Sequence, residues 1–508
     1  MELNILLNER FGFQDFRPGQ KEIIEAILGG KHVLGVLATG SGKTLCYQML
    51  SQLLDGLTIV VSPLISLMED QWTRMRQTGF KDVGILHSAL AKDRLQKEWQ
   101  MIEQKKRKLI LLSPERLTNP AFLERLAQHQ ISLLAIDEAH CVSQWGYDFR
   151  PDYLKIKDSY PVLRNPLVMA LTGTASPKVQ SDILYHLGIE DAEKIILSMN
   201  RPNIAYHVER VKGDEEKRSF LIRELPRLTG PGIIYAGTRR ETEELADWLS
   251  DRLKMEIPAY HAGLPTENRA LIQTQFIHGQ TPLLVATTAF GMGIDKENIR
   301  FVIHYQMPTS IEGYLQETGR IGRDGKDGVA ILLYTPDDFA ITASVLDYSI
   351  PNYNQIKEFY HRLILQGDNL SIHHEESDHL PLKAFLYRLE QGDWIESVRT
   401  SENGKYHYIL KKELDEEDIS LIAAEWEQLR MEKRKGLACF NLIISANDCL
   451  RKGIHQYFGE KDHGFSLFCC THCGIDLRMY YTHSRTETEI SAQPRSWEEE
   501  LELLLPIK

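Results

Sequence analysis

Lys43 and Thr44 close the run Leu37-Ala38-Thr39-Gly40-Ser41-Gly42-Lys43-Thr44, directly after the apolar residues Val33 to Leu37. Glycines in such a run let successive backbone N–H groups turn inward around phosphate oxygens. The lysine ammonium then reaches the outer phosphates, and the Thr44 hydroxyl is placed to ligate Mg²⁺. The run departs from the usual phosphate-loop pattern at one place, where Leu37 stands for a glycine. A second reactive group is Asp137-Glu138-Ala139-His140, which follows the apolar run Leu133 to Ile136. There Asp137 is suited to hold Mg²⁺ through water, and Glu138 to orient and deprotonate an attacking water. Either segment alone could be a simple turn. Together, each at the end of an apolar run, they point to nucleotide hydrolysis.

Three further groups are candidates for the same chemistry. Upstream of the loop, Gln20 offers an amide that could pair with an adenine edge, with Phe13 and Arg17 on either side of the ring. The same stretch also reads as the start of a helix packed by Phe11, Phe13 and Phe16. Past the carboxylates, Cys141 to Arg150 is aromatic and basic. Its Trp145, Phe149 and Arg150 could stack on bases and report strand binding to the nucleotide site, or plug a loop. In Gln316 to Gly325, the residues Arg320 and Arg323 lie three apart, on one face if helical, as arginine fingers that reach a γ-phosphate across a cleft.

The elements that must position these groups are legible as apolar runs. Thr58 to Val61, Lys108 to Leu112, Leu133 to Ile136 and Leu167 to Leu171 alternate with amphipathic stretches. That alternation predicts a parallel sheet covered on both faces, with ligands at the carboxyl ends of its strands. Beyond a boundary near Asn200-Arg201-Pro202-Asn203, the runs Ile233 to Tyr235, Leu283 to Ala286, Phe301 to Ile303 and Val329 to Leu333 repeat the pattern without a phosphate loop. A second lobe without a loop must serve the first. At 508 residues the chain is expected to hold roughly three to four domains. Its 43% hydrophobic and 26% charged content excludes a disordered chain. Without a signal-like amino terminus or a membrane-length apolar run, a cytoplasmic protein is expected. The net charge of −12 argues against indiscriminate nucleic-acid binding but leaves room for a local basic groove. The seven cysteines suit metal ligation in a reducing compartment better than a disulfide framework.

In order, Phe16-Arg17-Pro18-Gly19-Gln20, the loop with Leu45-Cys46-Tyr47-Gln48, Ser62 to Met68, the acidic box with its aromatic run, Ala289 to Lys296 and Gln316 to Gly325 closely resemble the RecQ family of superfamily 2 helicases, in its short bacterial form. The resemblance spans residues up to about 345 and implies two RecA-like lobes with ATP and Mg²⁺ between them. It also implies single-stranded and branched DNA across their tops, and 3′ to 5′ unwinding in recombination and repair. By this analogy Phe13, Arg17 and Gln20 recognise adenine, and Glu138 is the base. Trp145, Phe149 and Arg150 couple DNA to hydrolysis, and Gln316 belongs to the motif that carries the two arginines. A monomer near the nucleoid, working with single-strand-binding or recombination proteins, is expected. Gly173 and Ile321 stand where the family often has alanine. The competing expectations are an RNA helicase and a DNA-binding regulator with an idle nucleotide site.

The expected organisation is lobe 1 over 1–200, lobe 2 over 201–345, a winged-helix-like segment over 346–415, a helical zinc-binding module over 416–480 and an acidic tail over 481–508. Leu382, Phe385, Leu386 and Leu389 mark a helix with one buried face, followed by Trp394-Ile395 and a hairpin around Asn403-Gly404. Cys470-Thr471-His472-Cys473 has the spacing that turns two sulfurs toward one tetrahedral ion, with Cys449 as a third ligand. The family's fourth cysteine falls on Asp476, so Asp476 is the expected fourth ligand, with Cys469, His472 and Cys439 as rivals. In the tail, Ser496-Trp497-Glu498-Glu499 begins like a capped helix.

Overall fold

The computed structural model describes residues 3–87, 90–143, 150–291, 296–366, 369–370, 382–400, 406–460 and 469–482. Its first layer system is a seven-stranded parallel sheet. The strands are β1 (Val33–Val36), β2 (Leu57–Val61), β3 (Val83–Leu86), β4 (Leu109–Leu112), β5 (Ile131–Ile136), β6 (Leu167–Thr172) and β7 (Glu193–Ile196). They run in the order β3-β4-β2-β5-β6-β1-β7. The inner strands are mostly apolar because helices cover both faces, and the few polar residues on them, such as Thr58 and Thr172, are buried. Parallel register sets Val33 opposite Met169 and Leu133 opposite Leu167. The carboxyl ends of β1, β6 and β5 are therefore neighbours, and the phosphate loop, Thr172-Gly173-Thr174 and Asp137-Glu138 emerge side by side.

The second sheet contains β8 (Ile204–Arg210), β9 (Gly232–Tyr235), β10 (Ala259–Tyr260), β11 (Leu283–Ala286), β12 (Phe301–His304) and β13 (Gly328–Tyr334), in the order β10-β11-β9-β12-β13-β8. All of its pairings are parallel. Both sheets thus have the two-lobed α/β form expected from the apolar runs.

A separate apolar core lies between Leu346 and Trp426. Helix Leu382–Gln391 buries Phe385, Leu386 and Leu389, the face its spacing predicts. It stops at Gly392, where an added Cβ would meet the Trp394 ring. Three antiparallel strands, β14 (Asn369–Leu370), β15 (Ile395–Thr400) and β16 (Tyr406–Leu410), follow the order β14-β16-β15. Helix Glu416–Ser445 begins at Asp415, whose carboxylate accepts from the backbone N–H of Glu417 and Asp418 in a capping box. Its first turns bury Ile419, Ile422 and Trp426 in this third core, while Leu437, Phe440 and Ile444 join the large core that runs through both lobes. One rod therefore ties the two together.

Trp145 and Phe149, the expected turn at Asn403-Gly404 and the tail from Ser496 onward lie outside the described residues. No helix among the described residues is long and apolar enough to cross a membrane.

Candidate nucleotide site and thiol cluster

The phosphate loop is held from both sides. Leu37 donates its N–H to the carbonyl of Thr172 at 3.0 Å, which extends β1 by one residue. Its side chain is fully buried and packs against Gly19, where an added Cβ would come within 2.6 Å of Leu37 Cδ2. That packing explains the missing glycine: position 37 is used for the core, and the turn is made by Gly40 (φ 85°) and Gly42 (φ 76°). Within the turn, Ser41 N–H donates to Ala38 O. Lys43 lies directly before helix Thr44–Leu53, and its ammonium donates to Leu37 O at 3.4 Å. Upstream, Arg17 Nη1 donates to Gly40 O at 2.6 Å, and Gln20 Nε2 donates to the carbonyls of Ser41 and Gly42 at 2.9 and 3.0 Å. Arg17 and Gln20 thus fasten the loop itself, and exposed Phe13 stands at the rim.

Phe13, Arg17, Gln20, Thr39, Gly40, Gly42, Lys43, Thr44, Asp137, Glu138 and Arg323 line a single cavity of about 720 Å³, a volume in the range of small-ligand sites. Asp137 Oδ2 accepts from Gln71 Nε2 at 3.0 Å, and Asp137 Oδ1 accepts from the Glu138 N–H at 3.0 Å. Burial, followed by the neighbouring Glu138 carboxylate, pushes the Asp137 carboxyl up to about 6, against the pull of Lys43 and Gln71. A cation beside it would reverse that cost. Glu138 adopts φ 48°, a conformation that side chains beyond glycine seldom hold. One Glu138 carboxylate oxygen lies 3.4 Å from His140 Nδ1, and the same ring nitrogen is 2.9 Å from Thr172 Oγ1. The 3-10 segment Pro151–Ser159 backs the box, with Tyr153 OH donating to Asp137 O at 3.2 Å. Arg150 Nη1 donates to Pro63 O at 2.7 Å.

Lobe 2 contributes directly. Arg320 and Arg323 lie on the turn that follows helix Ile311–Thr318, not on a helix face, because Gly319 ends the helix and Gly322 takes φ 54°. The Arg323 chain packs on Gly40, where an added Cβ would come within 3.2 Å of its Cγ. Burial and Arg320 lower its guanidinium to about 10, while Glu138 of the other lobe acts in the opposite sense. Arg320 is the more deeply buried of the two and is set back toward Gly291, whereas Arg323 is half-buried at the cavity wall. Gln316 is buried in the preceding helix, outside the cavity lining. Residues that the sequence pattern does not single out complete the site. Gln71 holds Asp137, and Arg201, read only as part of a boundary, spans the lobes. Arg201 Nη1 donates to Thr39 O at 2.8 Å and Gly319 O at 3.2 Å, and Nη2 donates to the carbonyls of Ile321 and Gly322, each at 2.9 Å.

At the far end, Cys449, Cys469, Cys470 and Cys473 place their sulfurs within 4.8 Å of one another. The Sγ atoms of Cys449 lie 3.5 Å from Cys469 and 3.9 Å from Cys470. Four thiolates at the usual Zn–S length of about 2.3 Å sit about 3.8 Å apart, so the set fits a tetrahedral zinc. Cys469, named above as a rival, joins this cluster, whereas the expected Asp476 lies outside it. The Asp476 carboxylate accepts from the backbone N–H of Arg478 at 2.9 Å and from its Nε at 3.0 Å, and caps the 3-10 turn Leu477–Tyr480.

A family profile described as DEAD/DEAH box helicase matches residues 17–183, and one described as Helicase conserved C-terminal domain matches residues 216–325. The protein described as probable ATP-dependent DNA helicase RecS of Bacillus subtilis (strain 168) is 37% identical over 510 positions, covering 100% of this chain and 98% of its own length. The ATP-dependent DNA helicase RecQ of Haemophilus influenzae is 41% identical over 345 positions, which span 67% of this chain and 54% of that protein. The solved structure of Mycobacterium smegmatis helicase Lhr bound to ssDNA and AMP-PNP shares the fold at a TM-score of 0.55 and 20% identity, over 84% of this chain and 62% of its own. The chain therefore belongs to the RecQ family of superfamily 2 helicases, and within it resembles RecS.

Proposed function

We propose that this ATP-dependent DNA helicase of the RecQ family translocates 3′ to 5′ along single-stranded DNA and opens branched or tailed duplexes during recombination and repair. The observation that carries the reading is the meeting of Arg323 from lobe 2 with Lys43, Asp137 and Glu138 from lobe 1 around one cavity. Phosphates lie on the loop N–H groups and Lys43, and Thr44 and Asp137 would hold Mg²⁺. Glu138 orients water for attack on the γ-phosphorus and takes its proton. Arg323, with Arg320 behind it, neutralises charge on the leaving phosphates as ADP departs. Loss of the γ-phosphate removes what Arg323 grips, so the lobes part and the strand advances.

The segment 346–415 reads as a winged helix, since a helix, an edge strand, a second helix and a hairpin with the edge strand beside its far arm follow that motif's order. The four thiols would hold one zinc, which supplies a structural tie without taking part in hydrolysis. The protein is read as a monomer of the bacterial cytoplasm, with single-strand-binding or recombination proteins as partners.

Lys43→Ala is expected to abolish DNA-stimulated ATP hydrolysis with the melting temperature unchanged. On tailed duplexes, the intact protein is expected to unwind those with a 3′ overhang and leave those with a 5′ overhang paired. Retained turnover in the variant, or the reverse polarity, overturns the reading.

A further inference from the structure

The segment between β7 and β8 is the only described backbone connection between the two sheets, and it is gripped from outside both lobes. Helix Leu450–Tyr457, which starts beside Cys449, sends Arg451 into it. Arg451 is almost wholly buried. Its Nη1 donates to Asn200 Oδ1 at 2.6 Å and to Arg201 O at 2.9 Å, its Nη2 donates to Ile204 O, and its guanidinium lies 5.0 Å from the centre of the Tyr206 ring. Just past the helix, Glu460 accepts from Ser198 Oγ at 2.5 Å and from the Met199 N–H at 2.7 Å, while His455 Nδ1 lies 2.7 Å from the same carboxylate. The thiol-bearing turn is laid along β8: Tyr206 N–H donates to Cys469 O at 3.1 Å, and Thr471 N–H donates to Tyr206 O at 2.9 Å. From 198 to 206 the chain is thus held at six of nine residues, 198 to 201, 204 and 206, by one small module.

What that module holds in place is Arg201. Its guanidinium makes one bond to lobe 1, at Thr39 O in the phosphate loop, and three to lobe 2, on the turn that carries Arg320 and Arg323. Three of its four bonds are thus to lobe 2, and the single bond to Thr39 is the one that an opening of the lobes would break. A planar fork with five donors can span four carbonyls, whereas an ammonium cannot. Arg451 bonds the Arg201 carbonyl itself, so the module acts directly on the backbone from which this fork projects, alongside Leu197, which is bonded to lobe 1 at Val36, and Asn203, which is bonded to lobe 2 at Gly322, Lys326 and Gly328.

We propose that Arg201 is a closure latch for ATP hydrolysis, and that Arg451 and Glu460 are its positioning residues, making the C-terminal helix part of the hydrolytic machinery. This rests on the ATPase reading above. The phosphate cradle belongs to lobe 1 alone, so ATP binding survives loss of the latch, whereas delivery of Arg323 does not.

The test compares Arg201→Lys, Arg451→Gln, Glu460→Ala and the double variant Arg201→Lys/Arg451→Gln in the full chain. Gln456→Ala, a change to an exposed neighbour on the same helix, serves as control. The expected result is a fall of tenfold or more in kcat of DNA-stimulated ATPase for the first three, with KM for ATP within threefold of the parent. The double variant is expected to be no worse than the poorer single, because residues acting in one chain of contacts are not additive. The control is expected to be unchanged. A parental kcat in a folded Arg451→Gln or Glu460→Ala protein overturns the proposal, as does a double variant whose losses multiply. Glu460→Ala, which cuts the linker from the surface, decides the matter if Arg451→Gln does not fold. Failure of the ATPase reading is separately visible as DNA-stimulated turnover that persists in Lys43→Ala.

Discussion

Glu138 must point a carboxylate into the cavity from a backbone held at φ 48°. A left-handed conformation costs a residue with a Cβ about 1–2 kcal/mol, and strain of this kind gathers where function fixes a side chain. Glu138→Gly is therefore expected to be more stable than Glu138→Ala by about 0.5–1 kcal/mol, once the greater freedom of glycine in the unfolded chain is counted. Both should lose hydrolysis, and urea midpoints of the two variants measure the difference. At this scale the sequence was informative where a residue type acts through its own chain segment: Lys43, Thr44, Asp137 and Glu138 were identified by what precedes them. It was silent where the partner is remote. Leu37 looked like a defect in the loop until Gly19 appeared beneath it, and Asp476 looked like a ligand because its spacing is right while its partner, Arg478, lies only two residues on.

Among elements, buried parallel strands were easy to read because little that is polar interrupts them. Edge strands were not. β7 has exposed Lys194 and Ile196, and β8 carries a mixed face that ends in His207, Glu209 and Arg210, so neither shows an unbroken apolar run. Helix Leu382–Gln391 was legible in its buried face but not in its docking. Tyr387 OH donates to Asp152 Oδ1 at 2.7 Å, both side chains being buried, and Lys155 pairs with Glu390. These contacts join the third core to the 3-10 segment whose Tyr153 touches the Asp137 backbone. Tyr387→Phe keeps the ring and removes the donor to a buried carboxylate, a loss of about 1–3 kcal/mol. The expected outcome is faster proteolysis between residues 346 and 426 in the variant, with the ATP affinity of lobe 1 unchanged. Equal cleavage rates would mean that the docking does not hold the module.

For the whole molecule, the thiol cluster determines how far a local loss spreads. Metal binding to such a set would be folding energy, since the ion would tie the four sulfurs together. Here the two arms that converge are the start of helix Leu450–Tyr457 and the turn paired with Tyr206, and both also hold the connection between the lobes. Stripping the metal with a chelator is therefore expected to do more than loosen residues 449–473. It should release Arg451 and Glu460 from residues 198–204 and open that connection to protease, while the cores of the separate lobes stay folded. Purified protein is expected to contain one zinc per chain. Cys469→Ser should lower that content and sensitise the connection in the same way, and Asp476→Ala should leave both as they are. Unchanged cleavage at the connection after complete metal removal would show that lobe geometry is set without the cluster. Zinc retained in Cys469→Ser but lost in Asp476→Ala would restore the carboxylate as the fourth ligand.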